Sequence, residues 1–327
     1  MIPRFYAARH ALAVFLGLTV AGCAGTNVTP ASLVGGAPAL RVKPNKASYK
    51  RALYVANYNP NTGEGNSILI FTSTIFKKTY YRELGAITNG IVNPVGLSMD
   101  RVGNLYVANF GHGTCCGSVT EYAPGGQSPS STYNNNMVAA RGVTVDRLGN
   151  VYEADESGYV NEYFQGLNYA TASCPSPGSN LRAAALAVDA GGDVFVSYLE
   201  LSGPGPLYEY KGGLNGCNAT YLVSVGSPDI VLDSNENLIV ANFNSSPPSV
   251  DVLDPPYTAI SREIGSGFKY PTGLSINKKN NFAFVADAAN ENVTVISYQN
   301  GANTAVLGGS YGIKYPSAVV DGPNAVY

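Results

Sequence analysis

The stretch Pro94-Val-Gly-Leu-Ser-Met-Asp100-Arg-Val-Gly-Asn-Leu-Tyr-Val-Ala-Asn109 holds two short apolar runs joined by a loop that carries Asp and Gly. Runs of this length read as strands, and the loop supplies the residues that tolerate positive φ in a hairpin. The same pattern returns as Arg141-Gly-Val-Thr-Val-Asp146-Arg-Leu-Gly-Asn-Val-Tyr-Glu-Ala-Asp155 and as Ala185-Leu-Ala-Val-Asp189-Ala-Gly-Gly-Asp-Val-Phe-Val-Ser-Tyr198. It comes back twice more, as Asp229-Ile-Val-Leu-Asp233-Ser-Asn-Glu-Asn-Leu-Ile-Val-Ala-Asn242 and Gly273-Leu-Ser-Ile-Asn277-Lys-Lys-Asn-Asn-Phe-Ala-Phe-Val-Ala-Asp287. The anchors Asp100, Asp146, Asp189, Asp233 and Asn277 stand 46, 43, 44 and 44 residues apart. A fixed period of this size marks a repeat architecture, in which each unit buries its apolar surface against the next.

Outward from each hairpin lies a third run: Val119 to Tyr122, Val160 to Tyr163, Leu207 to Tyr210, Val250 to Leu253 and Val293 to Ile296. A weaker fourth run follows, such as Tyr221 to Val225. Four strands per unit is the blade of an all-β propeller. The ends of the chain complete the count. Ala52 to Asn57 is a second strand lacking a first and continues through Ile68 to Phe71, while Pro316 to Asp321 is a first strand lacking the rest. Asp321 follows Asn277 by 44 residues. Pairing of these N- and C-terminal strands predicts a closed ring of six blades over residues 51–327.

The unit Pro-x-Gly-Leu-x-x-Asp-x-x-Gly-Asn-Leu-Tyr-Val-Ala-Asn resembles the NHL repeat, and the resemblance covers nearly everything after residue 50. It implies a propeller scaffold whose activity resides in variable loops. The absence of Trp departs from WD-repeat and quinone-dehydrogenase propellers. Gluconolactonases resemble the chain as six-bladed rings with a metal at the channel mouth, but their Glu, Asn and Asp ligands find no residue-by-residue match here. Virginiamycin-type lyases are similar as well, and they imply a catalytic His with a Glu. After residue 22 the chain has one histidine, His112, in a Gly-rich loop without a paired Glu motif nearby.

Composition narrows the function classes. The chain of 327 residues contains 37 Gly and 20 Pro, only 13% of its residues are charged, and its formal net charge is −2. Abundant Gly and Pro argue against a helical protein. An excess of acidic over basic residues argues against phosphate-backbone recognition, and no nucleic-acid partner is expected. No nucleophile elbow or phosphate-cradling loop occurs.

Residues 1–22 read as an export signal. Arg4 and Arg9 precede an apolar run from Ala11 to Val20, too short to span a bilayer. Val20-Ala21-Gly22-Cys23 resembles a lipobox, which implies lipidation of Cys23 and a membrane anchor; the plainer alternative is an ordinary signal followed by a chance Cys. Residues 23–50 are rich in Ala, Gly, Pro and Ser and read as a flexible tether. Its bias toward Arg41, Lys43, Lys46 and Lys50, continued by Arg51, suits either anionic headgroups or plain solvation. Ala24 lacks the Asp associated with inner-membrane retention, which favours the outer membrane.

The loops entering the first strands and those joining the second and third strands share one face of a propeller. The second-strand ends Asn57, Asn109, Asp155, Tyr198, Asn242 and Asp287 are expected there. Their oxygens could hold calcium or another divalent cation, or simply bond their own turns. Asp229 stands where other units carry Gly96, Gly142 and Gly273, and is a candidate channel ligand or acid. Cys115, Cys116, Cys174 and Cys217 allow three disulfide pairings. His112, Cys115 and Cys116 offer a conceivable copper or zinc set. The leading functional expectation is a monomeric, non-catalytic, lipid-anchored module that binds a protein, peptide or glycan through Tyr-bearing segments such as Asn161 to Phe164 and Ser131 to Asn136. The alternatives are a metal-dependent lactonase or lyase at the channel mouth and a structural envelope component.

Overall fold

A computed structural model describes residues 51–58, 65–72, 83–111, 116–201 and 203–323. The signal, the tether with Cys23, His112 and Cys115 lie outside the described residues. The rest forms six four-stranded antiparallel sheets. Blade 1 comprises β1 (Arg51–Asn57), β2 (Ser67–Thr72) and β3 (Glu83–Ile87), with the last strand of the chain inside β1. Blade 2 runs β4 (Pro94–Met99), β5 (Leu105–Asn109), β6 (Ser118–Tyr122) and β7 (Ser131–Tyr133). Blade 3 runs β8 (Ala140–Val145), β9 (Val151–Asp155), β10 (Val160–Tyr163) and β11 (Ala172–Cys174). Blade 4 runs β12 (Arg182–Val188), β13 (Val194–Leu199), β14 (Pro206–Tyr210) and β15 (Ala219–Ser224). Blade 5 runs β16 (Ile230–Leu232), β17 (Leu238–Asn242), β18 (Ser249–Leu253) and β19 (Arg262–Ile264). Blade 6 runs β20 (Pro271–Ile276), β21 (Phe282–Asp287), β22 (Asn292–Ser297) and β23 (Asn303–Leu307), and β24 (Pro316–Pro323) completes blade 1. Among the described residues no helix is long and apolar enough to cross a membrane.

The second strands β5, β9 and β17 are buried at every position, because both faces of each sheet press on a neighbouring blade. Two covered faces select a continuous apolar run over strict alternation. Six apolar clusters result, one at each junction between blades. The fourth strands lie at the rim, and β7 and β19 bury only their last residue.

The repeated Asp sets the hairpin. Asp100 Oδ1 accepts the backbone N–H groups of Val102, Gly103 and Asn104 at 3.0, 2.8 and 2.8 Å. Asp146, Asp189, Asp233 and Asn277 cap their own turns in the same way. Such a carboxylate replaces the strand ladder where the chain reverses. Gly103 takes φ +97° there, a left-handed conformation that a Cβ penalises.

Ring closure is antiparallel pairing of β1 with β24, with Tyr54 opposite Val320. Asp321, at the anchor position of this blade, pairs with Arg51: Nη2 to Oδ2 is 2.6 Å and Nε to Oδ2 is 2.9 Å. Small residues let the inner strands converge. A Cβ on Gly96 would fall 2.7 Å from the Arg141 carbonyl oxygen, one on Gly142 2.9 Å from Ala185 Cα, and one on Gly273 2.5 Å from Ala318 Cα.

The thiols resolve into one pair. Cys174 ends β11 at the rim of blade 3 and Cys217 lies in the loop before β15 of blade 4, with Cα atoms 5.3 Å apart in a disulfide. Their blades differ, but the rims of adjacent blades bring them together. Cys116 is exposed.

Candidate functional site

The ring has two unlike ends. At one, the chain enters the first strands and crosses from second to third strands; at the other sit the Asp-capped turns. The axial channel widens toward the turns into a cavity of about 890 Å³. Its wall is the later half of each inner strand, and Arg51, Arg101, Arg147 and Lys278 stand among the Asp residues of its rim.

Asp229 lies on this wall, just before β16 and beside the convergence of small residues. Its Oδ2 accepts the Leu274 N–H of the next blade at 2.6 Å. Burial pushes its carboxyl up to about 7, against the pull of the Leu274 and Ile230 N–H groups. It is therefore a group able to hold or release a proton near neutrality inside the channel.

The other channel-face candidates occupy a different place. Asn57, Asn109, Asp155, Asn242 and Asp287 are buried, with exposure between 0% and 8%. They turn into their own blades. Asp155 Oδ2 accepts the N–H groups of Val138 and Ala139 at 2.7 and 3.0 Å, and Asp287 those of Lys269 and Tyr270 at 2.8 and 3.0 Å. Asn109 Oδ1 takes Val92 N–H and Asn57 Oδ1 takes Lys314 N–H. Asn242 holds Asp251 at 2.8 Å. These side chains staple the loop that enters each inner strand, or the neighbouring third strand, so their oxygens are not gathered around the channel. Tyr198 is likewise buried, sharing a hydrogen bond with Tyr210 at 2.8 Å. Among the described residues no group of three or more His, Cys, Asp or Glu side chains is placed to hold a metal ion.

In the Tyr-bearing segment Ser131 to Asn136 every residue but Tyr133 is exposed. Tyr133 and Tyr163 are buried and meet edge to face, 5.6 Å between centroids, at the junction of blades 2 and 3. Of Asn161 to Phe164 only Phe164 is exposed. Tyrosines at this radius fill the gap that widens outward between blades, and their hydroxyls find partners there: Tyr122 donates to the Asn89 carbonyl at 2.7 Å and Tyr133 to Glu121 Oε2 at 3.0 Å.

In blades 1, 2 and 5 the residue directly after the second strand is an aromatic one that reaches solvent at the strand-entry end. Tyr58, Phe110 and Phe243 follow Asn57, Asn109 and Asn242, and Tyr270 and Tyr315 precede the prolines that open β20 and β24. Their rings form a belt of partly exposed aromatic surface. Phe243 and Tyr270 lie 5.1 Å apart, and Tyr58 N–H reaches the Tyr315 carbonyl at 3.4 Å. Burial pushes the Tyr270 hydroxyl up, helped by Tyr315 and opposed by Arg141. Arg141 lies over the Phe110 ring at 5.1 Å and pairs with Glu156, which also takes Arg182 Nη1 at 2.9 Å. Two guanidiniums thus share one carboxylate, and among the described residues Arg182 Nε is buried without a partner. The repeat alignment conceals this belt, because these positions fall between the repeated motifs. The signal was the aromatic residue directly after the strand-ending Asn in Asn57-Tyr58, Asn109-Phe110 and Asn242-Phe243.

One further acid breaks the repeat. Glu153 occupies the position of Val107 in β5 and is wholly buried between blades 2 and 3. Its Oε2 accepts Asn161 Nδ2 at 2.8 Å, whereas Oε1 has no partner among the described residues. Burial, with Asp155 nearby, holds its carboxyl well above the ordinary range.

No family model matches the chain, and no curated protein matches it. Solved structures do. A chain of a nidogen/laminin complex is similar at a TM-score of 0.64 and 13% identity, covering 83% of this chain and 98% of its own. A candidate 6-phosphogluconolactonase of Bacteroides fragilis is similar at 0.59 and 13%, covering 85% and 99%. A protein from Lactobacillus plantarum is similar at 0.59 and 13%, covering 83% and 99%. At this identity the likeness shows the fold alone.

Proposed function

We propose that the chain is an exported, lipid-anchored propeller that binds an extended ligand, a peptide, protein or glycan, across the belt at the strand-entry end. The observation that carries this reading is the belt itself. Partly exposed rings from blades 1, 2, 5 and 6 adjoin an arginine pair that has one carboxylate between its two members. Aromatic faces offer contact area at low entropic cost, and guanidiniums with spare donors fix orientation. In-cell crosslinking tests it: the wild type should yield a crosslinked species that the variant carrying Phe243→Ala and Tyr270→Ala loses at unchanged thermal stability. The same species in equal yield from both would sink the reading.

A second reading is favoured by Asp229. A carboxyl that titrates near 7 within a cavity suits a general base, and the Bacteroides fragilis neighbour named for lactone hydrolysis shares the fold. That reading requires turnover of a sugar lactone by the wild type and its loss in Asp229→Asn. A divalent cation, if the reaction uses one, would raise turnover on addition.

A further inference from the structure

We propose that the turn end of the ring rests on an anionic lipid bilayer, with Val102, Leu148 and Phe164 in contact and Arg101 and Arg147 beside them. This inference rests on the lipid-anchor reading, which brings the protein to the bilayer and selects it as the occupant.

Val102 and Leu148 occupy the tips of the Asp-capped turns of adjacent blades and are 74% and 75% exposed. The caps of Asp100 and Asp146 fix these turns, so the side chain at the tip is directed outward on a rigid base. Burial elsewhere does not require an apolar residue there: blades 4, 5 and 6 place Gly191, Asn235 and Lys279 at the same position. Phe164, 50% exposed, follows β10 on this end. The N–H of its neighbour Gln165 donates to Asn150 Oδ1 at 3.2 Å, which ties the Phe164 loop to the Leu148 turn. Arg101 and Arg147 precede the two tips and are exposed, as are Lys278 and Lys279 on the turn of blade 6. At these two tips Arg101 and Arg147 flank the apolar side chains, which suits the boundary between acyl chains and phosphates, while the rim carboxylates Asp100, Asp146, Asp189 and Asp233 are engaged by the N–H groups of their own turns.

The chain's own connectivity selects the bilayer as the occupant. β1 begins at this end, where Arg51 joins Asp321 at the cavity rim. The tether therefore meets the ring on the face that carries the apolar tips. The 28 residues from Cys23 to Lys50 join the anchor position to this end of the ring. An anchor at Cys23 is therefore attached through the end that carries the apolar tips, and the aromatic belt lies at the other end.

The chain has no Trp, so a single substitution supplies the only indole. Lipidated full-length Leu148→Trp, purified from membranes and reconstituted on phosphatidylglycerol-rich vesicles, should emit further to the blue than in detergent and be quenched by nitroxide-bearing lipid. Val102→Trp should do the same. Leu201→Trp, on the opposite end between β13 and β14, should show neither effect. Raising the salt to about 0.5 M should weaken the quenching as phosphates are screened. Vesicle-bound protein whose Leu148→Trp emission is unchanged, or is quenched no more than Leu201→Trp, overturns the orientation and leaves the anchor standing. Protein that does not sediment with vesicles overturns both.

Discussion

Replacing Asp229 by Asn separates two effects that the wild-type residue combines. The amide oxygen can still accept the Leu274 N–H, now bonded at 2.6 Å, but the side chain no longer ionises. The folded carboxyl titrates at about 7 against 3.8 for the ordinary group. Between those values the unfolded chain has released the proton and the folded one still holds it, so stability falls as pH rises through this window and is level above and below it. The full difference corresponds to about 4 kcal/mol at 1.36 kcal/mol per unit. Solvent in the channel reduces that, and we take roughly 2 kcal/mol, in keeping with the high effective dielectric of protein sites. Urea denaturation of both proteins from pH 4 to pH 8.5 measures the contrast. Asp229→Asn should match the wild type near pH 4 and exceed it by that amount above pH 7. A difference that does not vary with pH, or an Asn variant less stable at pH 8, refutes the argument.

Three further outcomes follow from the packing. Gly273→Ala sets a Cβ 2.5 Å from Ala318 Cα, backbone that cannot move aside, and should cost about 2–3 kcal/mol in denaturant titration. Replacing both Cys174 and Cys217 by Ala frees a loop of 43 residues and should lower stability by about 2–4 kcal/mol, with reductant producing the same loss in the wild type. Ending the chain at Tyr315 removes β24, exposes the inner edge of β1 and leaves Arg51 without Asp321; circular dichroism should show loss of the cooperative melt, and an unaltered melting temperature would contradict ring closure.

Much of this fold is legible in sequence because one physical unit is written repeatedly. Each anchor Asp or Asn caps a turn at the same offset, each second strand carries an apolar run, and the strand missing from blade 1 is supplied by β24. The candidate site was less legible, for the same reason. A repeated polar residue such as Asn109 or Asp155 is repeated because every blade must hold the loop entering its inner strand, so recurrence marked structural hydrogen bonding. The tyrosines misled through position: Tyr133 and Tyr163 sit where the space between blades widens, which depends on radius rather than on local pattern. Departures from the repeat were the better guide. Asp229 in place of Gly, Glu153 in place of Val and Arg141 in place of Val95 are the positions where charge enters the channel, a blade junction and the belt.

Closure by the last strand also imposes an order in time. β1 is among the first segments made, yet its inner-edge partner begins at Pro316, so Arg51 and Asp321 meet across a separation of 270 residues. Until then β1 presents an unpaired edge, the kind of surface that recruits strands from other chains. The other five blades are built from local hairpins, whereas this pairing is a non-local contact, the kind that slows folding. Closure therefore depends on β24, and a chain that stops before Pro316 leaves the inner edge of β1 as an open seam.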